Sequence, residues 1–265
     1  MSNRQGFMHK IKNIIRFPIK GLSGEYLESI KLNKNEVLPG DREFAFARYN
    51  LIYDENNPTH FRKNNFLALV KEEKLANLKT SFDPKTRHLV INLENNILIN
   101  DFLVNQQSIE KVEIFFQEYL NLPVNEKPNL VQGLKLKNNN DLTHSFSDIP
   151  EKAISIINMN SIIELEKKIN KTIDPLRFRA NFLIDGGKAW EEFDWIGKKI
   201  QIGNVFLEVF KRTQRCAATI VNPGNGLRDI DIPKEISKNF GHVDLGIYAK
   251  VIKNGVVSVS DKLFI

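Results

Sequence analysis

Apolar and polar residues alternate loosely over residues 8–17, and the run ends at Pro18, the pattern of a first strand. Residues 19–24 read as an open loop, in which Gly21, Ser23 and Gly24 leave the backbone accessible and Lys20 is held over it. Residues 27–32 suggest a second strand; Pro39-Gly40-Asp41-Arg42 makes a turn, and 43–47 resumes as a strand. Over 66–78, Leu67, Val70, Leu75 and Leu78 fall at roughly helical spacing, so a helix is expected there. Residues 88–93 and 97–99 flank Glu94-Asn95-Asn96, a hairpin signal. A helix is predicted over 108–120, capped by Ser108, with Ile109, Val112, Phe116, Tyr119 and Leu120 on one face. Residues 124–140 are rich in Asn, Lys and Pro and form the looser connection. The expected division is therefore a domain over 1–125 and a second over 126–265.

In the second part, 154–157 is a short apolar run, and Ser161-Ile162-Ile163-Glu164 has the capping-box form and opens a helix through Ile169. From there the pattern is β. Residues 200–202 and 205–210 flank Gly203-Asn204, and 245–252 and 256–259 flank Asn254-Gly255; each pair reads as a hairpin. Residues 222–226 form a loop. Many short strands with few helices predict a predominantly β, α+β fold, a barrel-like core with a few peripheral helices.

Composition narrows the function. A chain of 265 residues with 42% hydrophobic and 26% charged positions buries a substantial core. The net charge of +6 suits an anionic partner: a phosphate-bearing cofactor, a nucleic acid or a membrane surface. Lysine is spread along the whole chain, and no Lys/Arg block interleaved with aromatics marks a nucleic-acid stripe, so none is expected as a partner. A single cysteine excludes an internal disulfide and a cluster built on four thiolates of this chain. The basic stretch 1–16 has no signal-like apolar run, and no window approaches the ~18 apolar residues of a spanning helix. A cytoplasmic protein without a membrane segment is expected.

Familiar catalytic signatures are missing. His9, His60, His88, His144 and His242 are scattered, so a zinc site is not expected. No nucleophile elbow, Walker loop or dinucleotide fingerprint occurs. The chemistry concentrates instead in Lys211-Arg212-Thr213-Gln214-Arg215-Cys216-Ala217-Ala218-Thr219. A thiolate is both nucleophile and soft metal ligand, and an adjacent guanidinium favours it. A lone cysteine is commonly a small buried hydrophobe, but Arg212, Thr213, Arg215 and Thr219 would each need partners in a core. Basic residues beside turn chemistry recur at Lys20, Arg42, Arg177 and Arg179, and Arg215. Singly these are solvated charges; gathered around one thiolate they would hold an anionic cofactor with a soft metal.

Arg177-Phe178-Arg179-Ala180-Asn181, Trp195-Ile196-Gly197, Ile202-Gly203, Thr213-Gln214-Arg215-Cys216, Asn222-Pro223, Gly226 and Gly246-Ile247-Tyr248 together resemble the MOSC domain of molybdenum-cofactor sulfurases. Phe17-Pro18-Ile19-Lys20-Gly21 and Gly40-Asp41-Arg42 look like the N-terminal barrel that precedes MOSC in the mitochondrial amidoxime reducing component and its bacterial relatives. The resemblance implies a β-barrel-rich MOSC fold and a molybdenum cofactor, Mo-molybdopterin. It makes Cys216 the metal thiolate, in keeping with the preference of a polarisable metal for a soft ligand. It places Lys20, Arg42, Arg177, Arg179 and Asn181 around the pterin and its phosphate, and Ser147 and Asp148 near the metal, with Asp148 assisting proton delivery or holding a metal-bound water. Thr213 and Arg215 would orient the thiolate. Gly21 where a serine is common, Ala180 for a usual proline, and Ile149-Pro150 after Asp148 depart from the pattern.

The implied activity is reduction of N-hydroxylated or N-oxide small molecules, with electrons from a separate ferredoxin- or cytochrome b5-like protein. The alternative is a carrier of the cofactor, or of sulfur as a persulfide on Cys216 supplied by a cysteine desulfurase. A basic barrel that binds nucleic acid is a third reading, lacking its stripe.

Overall fold

A computed structural model describes residues 9–55, 57–133 and 144–265. Residue 8 of the first predicted strand and 134–140 of the predicted connection lie outside them. The first half contributes β1 (His9–Arg16), β2 (Glu25–Leu27), β3 (Ser29–Leu32), β4 (Phe44–Ala47), β5 (Leu78–Asp83), β6 (His88–Leu93), β7 (Asn96–Phe102), α1 (Gln106–Tyr119) and β8 (Asn129–Gln132). The second contributes β9 (Ile154–Asn158), α2 (Met159–Ile169), β10 (Phe182–Asp185), β11 (Lys199–Ile202), β12 (Val205–Gln214), α3 (Ile232–Phe240), β13 (Asp244–Lys253), β14 (Gly255–Ser258) and β15 (Lys262–Phe264).

Seven strands close a barrel in the order β1-β10-β9-β13-β12-β11-β15 and back to β1, and β2 extends the sheet beyond β1. Only β9–β10 pair in parallel among the barrel strands. The β-rich α+β class expected from the pattern is what forms. Alternation explains the filling: Val205, Leu207 and Val209 of β12 are buried while Glu208 is exposed. They meet Ile156, Phe182, Ile247 and Val251 in one apolar core. Barrel closure requires β1, whose Ile14 faces Phe182 of β10, 168 positions on, so the first of the described strands is part of the same sheet as the last, β15.

A second core lies between the β5–β6–β7 sheet, the β4–β8 ribbon and α1, where Phe46, Phe82, Ile91 and Val112 pack with Phe116. Helices α2 and α3 cover the barrel through Ile162, Leu165, Ile232 and Ile236.

Four local expectations change. Residues 66–78 are not an α-helix: a short 3-10 turn at Glu73–Asn77 leads into β5. Phe66, Leu67, Ala68 and Leu69 are buried consecutively, which no single helix stripe accommodates, and the Glu72 carboxylate accepts from the Ala68 backbone N–H at 2.9 Å. Ser108 is not the first cap of α1; Asn105 is, and Ser108 supplies the reciprocal partner three residues on. Asn158, not Ser161, caps α2, since Ser161 is needed inside. Finally, β14 does not fold back on β13 but pairs with β3, from Gly255 opposite Leu32 to Ser258 opposite Ser29. A side chain at Gly255 would meet Val205 and Asn204 at about 3 Å, so the turn passes close over β12. Helix α3 was not anticipated, although Asp231-Ile232-Pro233 carries the signal: Asp231 accepts from the Lys234 N–H, and proline sits in the first turn.

Candidate functional site

A cavity of about 350 Å³ opens where the barrel rim meets the loops of the first half, lined by both. Strand β12 ends at Gln214 and delivers Arg215 and Cys216 to its wall. Cys216 is half-buried and extended, and it caps the 3-10 turn Ala217–Ile220. Its carbonyl accepts from the Thr219 N–H at 3.0 Å and from the Thr219 hydroxyl at 2.8 Å, which fixes the backbone that carries the sulfur.

Each cation is held in its own way. The buried Arg215 donates Nε to Leu245 O at 2.8 Å and Nη1 to Phe178 O at 3.0 Å, stitching β13 to the turn before Arg179. Burial pulls its pKa down to about 10. Arg42 donates Nη2 to Arg179 O at 2.8 Å and pairs with Asp41. Arg179 donates Nη1 to Leu22 O at 2.6 Å. Both guanidiniums lie over the Phe17 ring, at 5.1 and 4.3 Å from its centre. Burial, and then the Arg42 charge, push Arg179 down to about 9. Arg42 and Arg179 both adopt left-handed backbone, at φ 51°, a conformation a non-glycine residue holds only when its surroundings impose it.

Lys20 is buried and donates Nζ to Asp148 Oδ1 at 2.6 Å and to Phe146 O at 2.8 Å. Burial lowers the Lys20 pKa against the opposing pull of Asp148. For Asp148, desolvation raises the carboxyl, but Lys20, then Arg42 and Lys63, outweigh it and hold it at about 2. Asp148 is therefore held as a carboxylate by the cations around it.

Arg177 and Asn181 line the same cavity but have structural duties. Arg177 Nη2 reaches both carboxylate oxygens of Asp229 at 2.6 and 2.8 Å, and Nη1 donates to Ile220 O at 2.9 Å. Asn181 Oδ1 accepts from Ser155 N at 3.1 Å and Ser155 Oγ at 2.9 Å. Ser147 Oγ donates to Ile149 O at 2.6 Å, shaping the turn that presents Asp148. Replacing Asp229 with Ala leaves the buried Arg177 charge with a carbonyl alone and is expected to cost about 2 kcal/mol. Urea unfolding checks this; an unchanged midpoint would show that Arg177 does not depend on the carboxylate.

All ten residues singled out from the sequence, Lys20, Arg42, Ser147, Asp148, Arg177, Arg179, Asn181, Thr213, Arg215 and Cys216, line this one cavity. Lys63 was missed. It sits in a 3-10 turn of the first half, and burial lowers its pKa but a hydrogen bond and charge contact with Cys216 outweigh that and raise it. Nothing near it in the sequence signals this. Phe17, Asp41 and Tyr248 were legible only inside their short motifs. Three polar atoms of lining residues, Arg177 Nε, Arg179 Nη2 and Thr213 Oγ1, are buried without a protein partner among the described residues. An anionic ligand would satisfy such donors. No three-residue His, Cys, Asp or Glu cluster able to hold a metal occurs among the described residues, so Cys216 is the soft donor that this chain offers. No helix of the described residues is long and apolar enough to cross a membrane.

Residues 141–264 match the MOSC domain. Of these, 141–143 lie outside the described residues. This chain is 28% identical over 123 residues to mitochondrial amidoxime reducing component 2 of Bos taurus, covering 42% of this chain and 36% of that protein. It is 34% identical over 96 residues to a molybdenum cofactor sulfurase of Drosophila pseudoobscura pseudoobscura, covering 35% of this chain and 12% of that protein. The chain thus spans well under two thirds of either relative. Among solved structures, the YuaD protein of Bacillus subtilis overlaps 97% of this chain and 96% of its own, at 13% identity and a TM-score of 0.44.

Proposed function

We propose that the cavity binds a molybdenum–pterin cofactor and that the protein reduces N-hydroxylated or N-oxide small molecules. The observation that carries this reading is the convergence of the single cysteine with Lys20, Arg42, Arg179 and Arg215 on one cavity whose lining residues keep three buried polar atoms unpartnered among the described residues. The names of the relatives, an amidoxime reducing component and a molybdenum cofactor sulfurase, agree with it.

When bound, the molybdenum supplies a two-electron couple. In this reading Cys216 Sγ is its thiolate ligand, and Thr219 keeps that sulfur in place through the Cys216 carbonyl. Arg42 and Arg179, fixed against Phe17, hold the anionic part of the cofactor together with Lys20 and Arg215. Thr213 Oγ1 donates to it, and Ser147, Arg177 and Asn181 shape the wall. Asp148, kept ionised by Lys20, accepts a hydrogen bond from the N–H or O–H of the substrate and so orients it. The overall change is R–NHOH plus two electrons and two protons to R–NH2 and water. A separate redox protein of the ferredoxin or cytochrome b5 type supplies the electrons, because one cysteine cannot ligate a four-thiolate cluster.

The test is molybdenum content by elemental mass spectrometry of protein made in a host that synthesises molybdopterin, with benzamidoxime reduction by a chemical donor. Near-stoichiometric metal in wild type, turnover, and loss of both in Cys216→Ala are expected. Metal-free wild-type protein defeats the reading.

A further inference from the structure

The charges of the cavity fall into two tiers. Lys20, Arg177 and Arg215 are buried, Arg42 and Arg179 nearly so, and each is tied to a carboxylate or to backbone carbonyls. A second tier stands at the opening: Lys63 is half-buried, and Lys211 and Arg212 are exposed. Lys211 pairs across the β12–β13 ladder with Tyr248, which also lines the cavity. Arg212 lies over the Phe193 ring at 4.3 Å. None of these three forms a salt bridge among the described residues. Among the described residues the lining holds two carboxylates, Asp41 and Asp148, and they are matched by Arg42 and Lys20.

We propose that the rim formed by Lys63, Lys211 and Arg212 selects a substrate carrying a carboxylate or phosphate at the end remote from its reacting nitrogen. This rests on the proposed function for the reacting end, and it deepens that reading by naming the substrate class. A cofactor held by the buried tier leaves the rim tier at the opening, where Lys63 also contacts the Cys216 sulfur and Lys211 and Arg212 have no carboxylate partner among the described residues. Asp148 at the same opening does not cancel them, because its charge is matched by Lys20 at 2.6 Å. An anionic group on the substrate completes the rim; a neutral substrate leaves the cations unmatched. Exposed charges are screened, so each contributes modestly and three act together. Tyr248 adds ring surface beside Lys211, which suits a flat, conjugated anion over a long flexible one.

The experiment compares binding of benzamidoxime and para-carboxybenzamidoxime to the full chain by calorimetry, at low and high salt, with molybdenum content measured on each sample. The carboxylated compound is expected to bind roughly tenfold more tightly at low salt, as two or three partly screened charge contacts give, with the advantage shrinking at high salt. Lys63→Gln combined with Lys211→Gln is expected to bring the two compounds to within about twofold. Parity in wild type, failure of the carboxylated compound to bind, or an advantage that survives the double substitution overturns the proposal. Metal content judges the cofactor reading and the affinity ratio judges this one, so each can fail while the other stands.

Discussion

Wild-type stability is expected to fall as pH rises from about 4.5 to about 7 through one residue, Glu192, and Glu192→Gln is expected to remove that slope. Glu192 is fully buried in the short turn Glu191–Trp195, and both its oxygens accept the Ser161 hydroxyl, at 2.8 and 2.9 Å. No cation faces it, so burial pushes its pKa up to about 7 from the ordinary 4.5, against hydrogen bonds that pull it down. The sign follows directly. Below 4.5 the group is protonated in both folded and unfolded chains and costs nothing. Between 4.5 and 7 the unfolded chain has released the proton and the folded one has not, so stability declines with rising pH. Above 7 the full penalty is present, of order 3 kcal/mol at 1.36 kcal/mol per unit. Other groups titrate in the same range, so the quantity to measure is the difference between wild type and Glu192→Gln in urea unfolding at pH 5 and pH 8. Parallel pH profiles for the two proteins would reject the assignment.

Gly246→Ala is expected to destabilise the protein by about 3–5 kcal/mol, the sum of backbone strain and overpacking. Gly246 lies on β13 at φ 80°, where an L side chain is strained. An added Cβ would sit 2.6 Å from the Ile156 carbonyl oxygen and 2.6 Å from Ile157 Cγ1, both on the neighbouring strand β9. Neither is the free end of a flexible chain, so β9 and β13 must part. The same Cβ would stand 3.2 Å from Arg215 Nη2, and Arg215 takes its position from the Leu245 carbonyl beside it. The variant should therefore lose cavity geometry along with stability, read as a lower unfolding midpoint and a disturbed Cys216 environment in thiol-labelling rates. A variant within about 0.5 kcal/mol of wild type would show that the barrel relaxes freely here.

The alternation of β12 and β13 and the polar run that closes β12 were enough to announce a β-rich fold whose candidate chemistry gathers at Cys216. Short-range patterns of this kind depend on residues a few positions apart, which is why the period of burial could be read, while both helix caps were placed three residues late, Asn105 capping in place of Ser108 and Asn158 in place of Ser161. The segment 66–78 misled because helical spacing of four leucines and valines says nothing about the consecutive burial of Phe66 to Leu69, which comes from packing on both sides. The Gly255 turn misled because a hairpin signal specifies a reversal and not its partner; the partner, β3, is set by the closed barrel beneath.

By itself the sequence determined which residue types were available: one soft donor, a set of arginines and lysines at turns, and no cluster of hard metal ligands. Only the tertiary structure decided that Lys20, from the first loop, and Asp148, 128 positions on, are an ion pair, that two arginines share one Phe17 ring, and that Lys63 stands beside Cys216. Those relations join residues separated by more than a hundred positions, and barrel closure through β1 is the physical event that brings them within reach of a charge or a hydrogen bond.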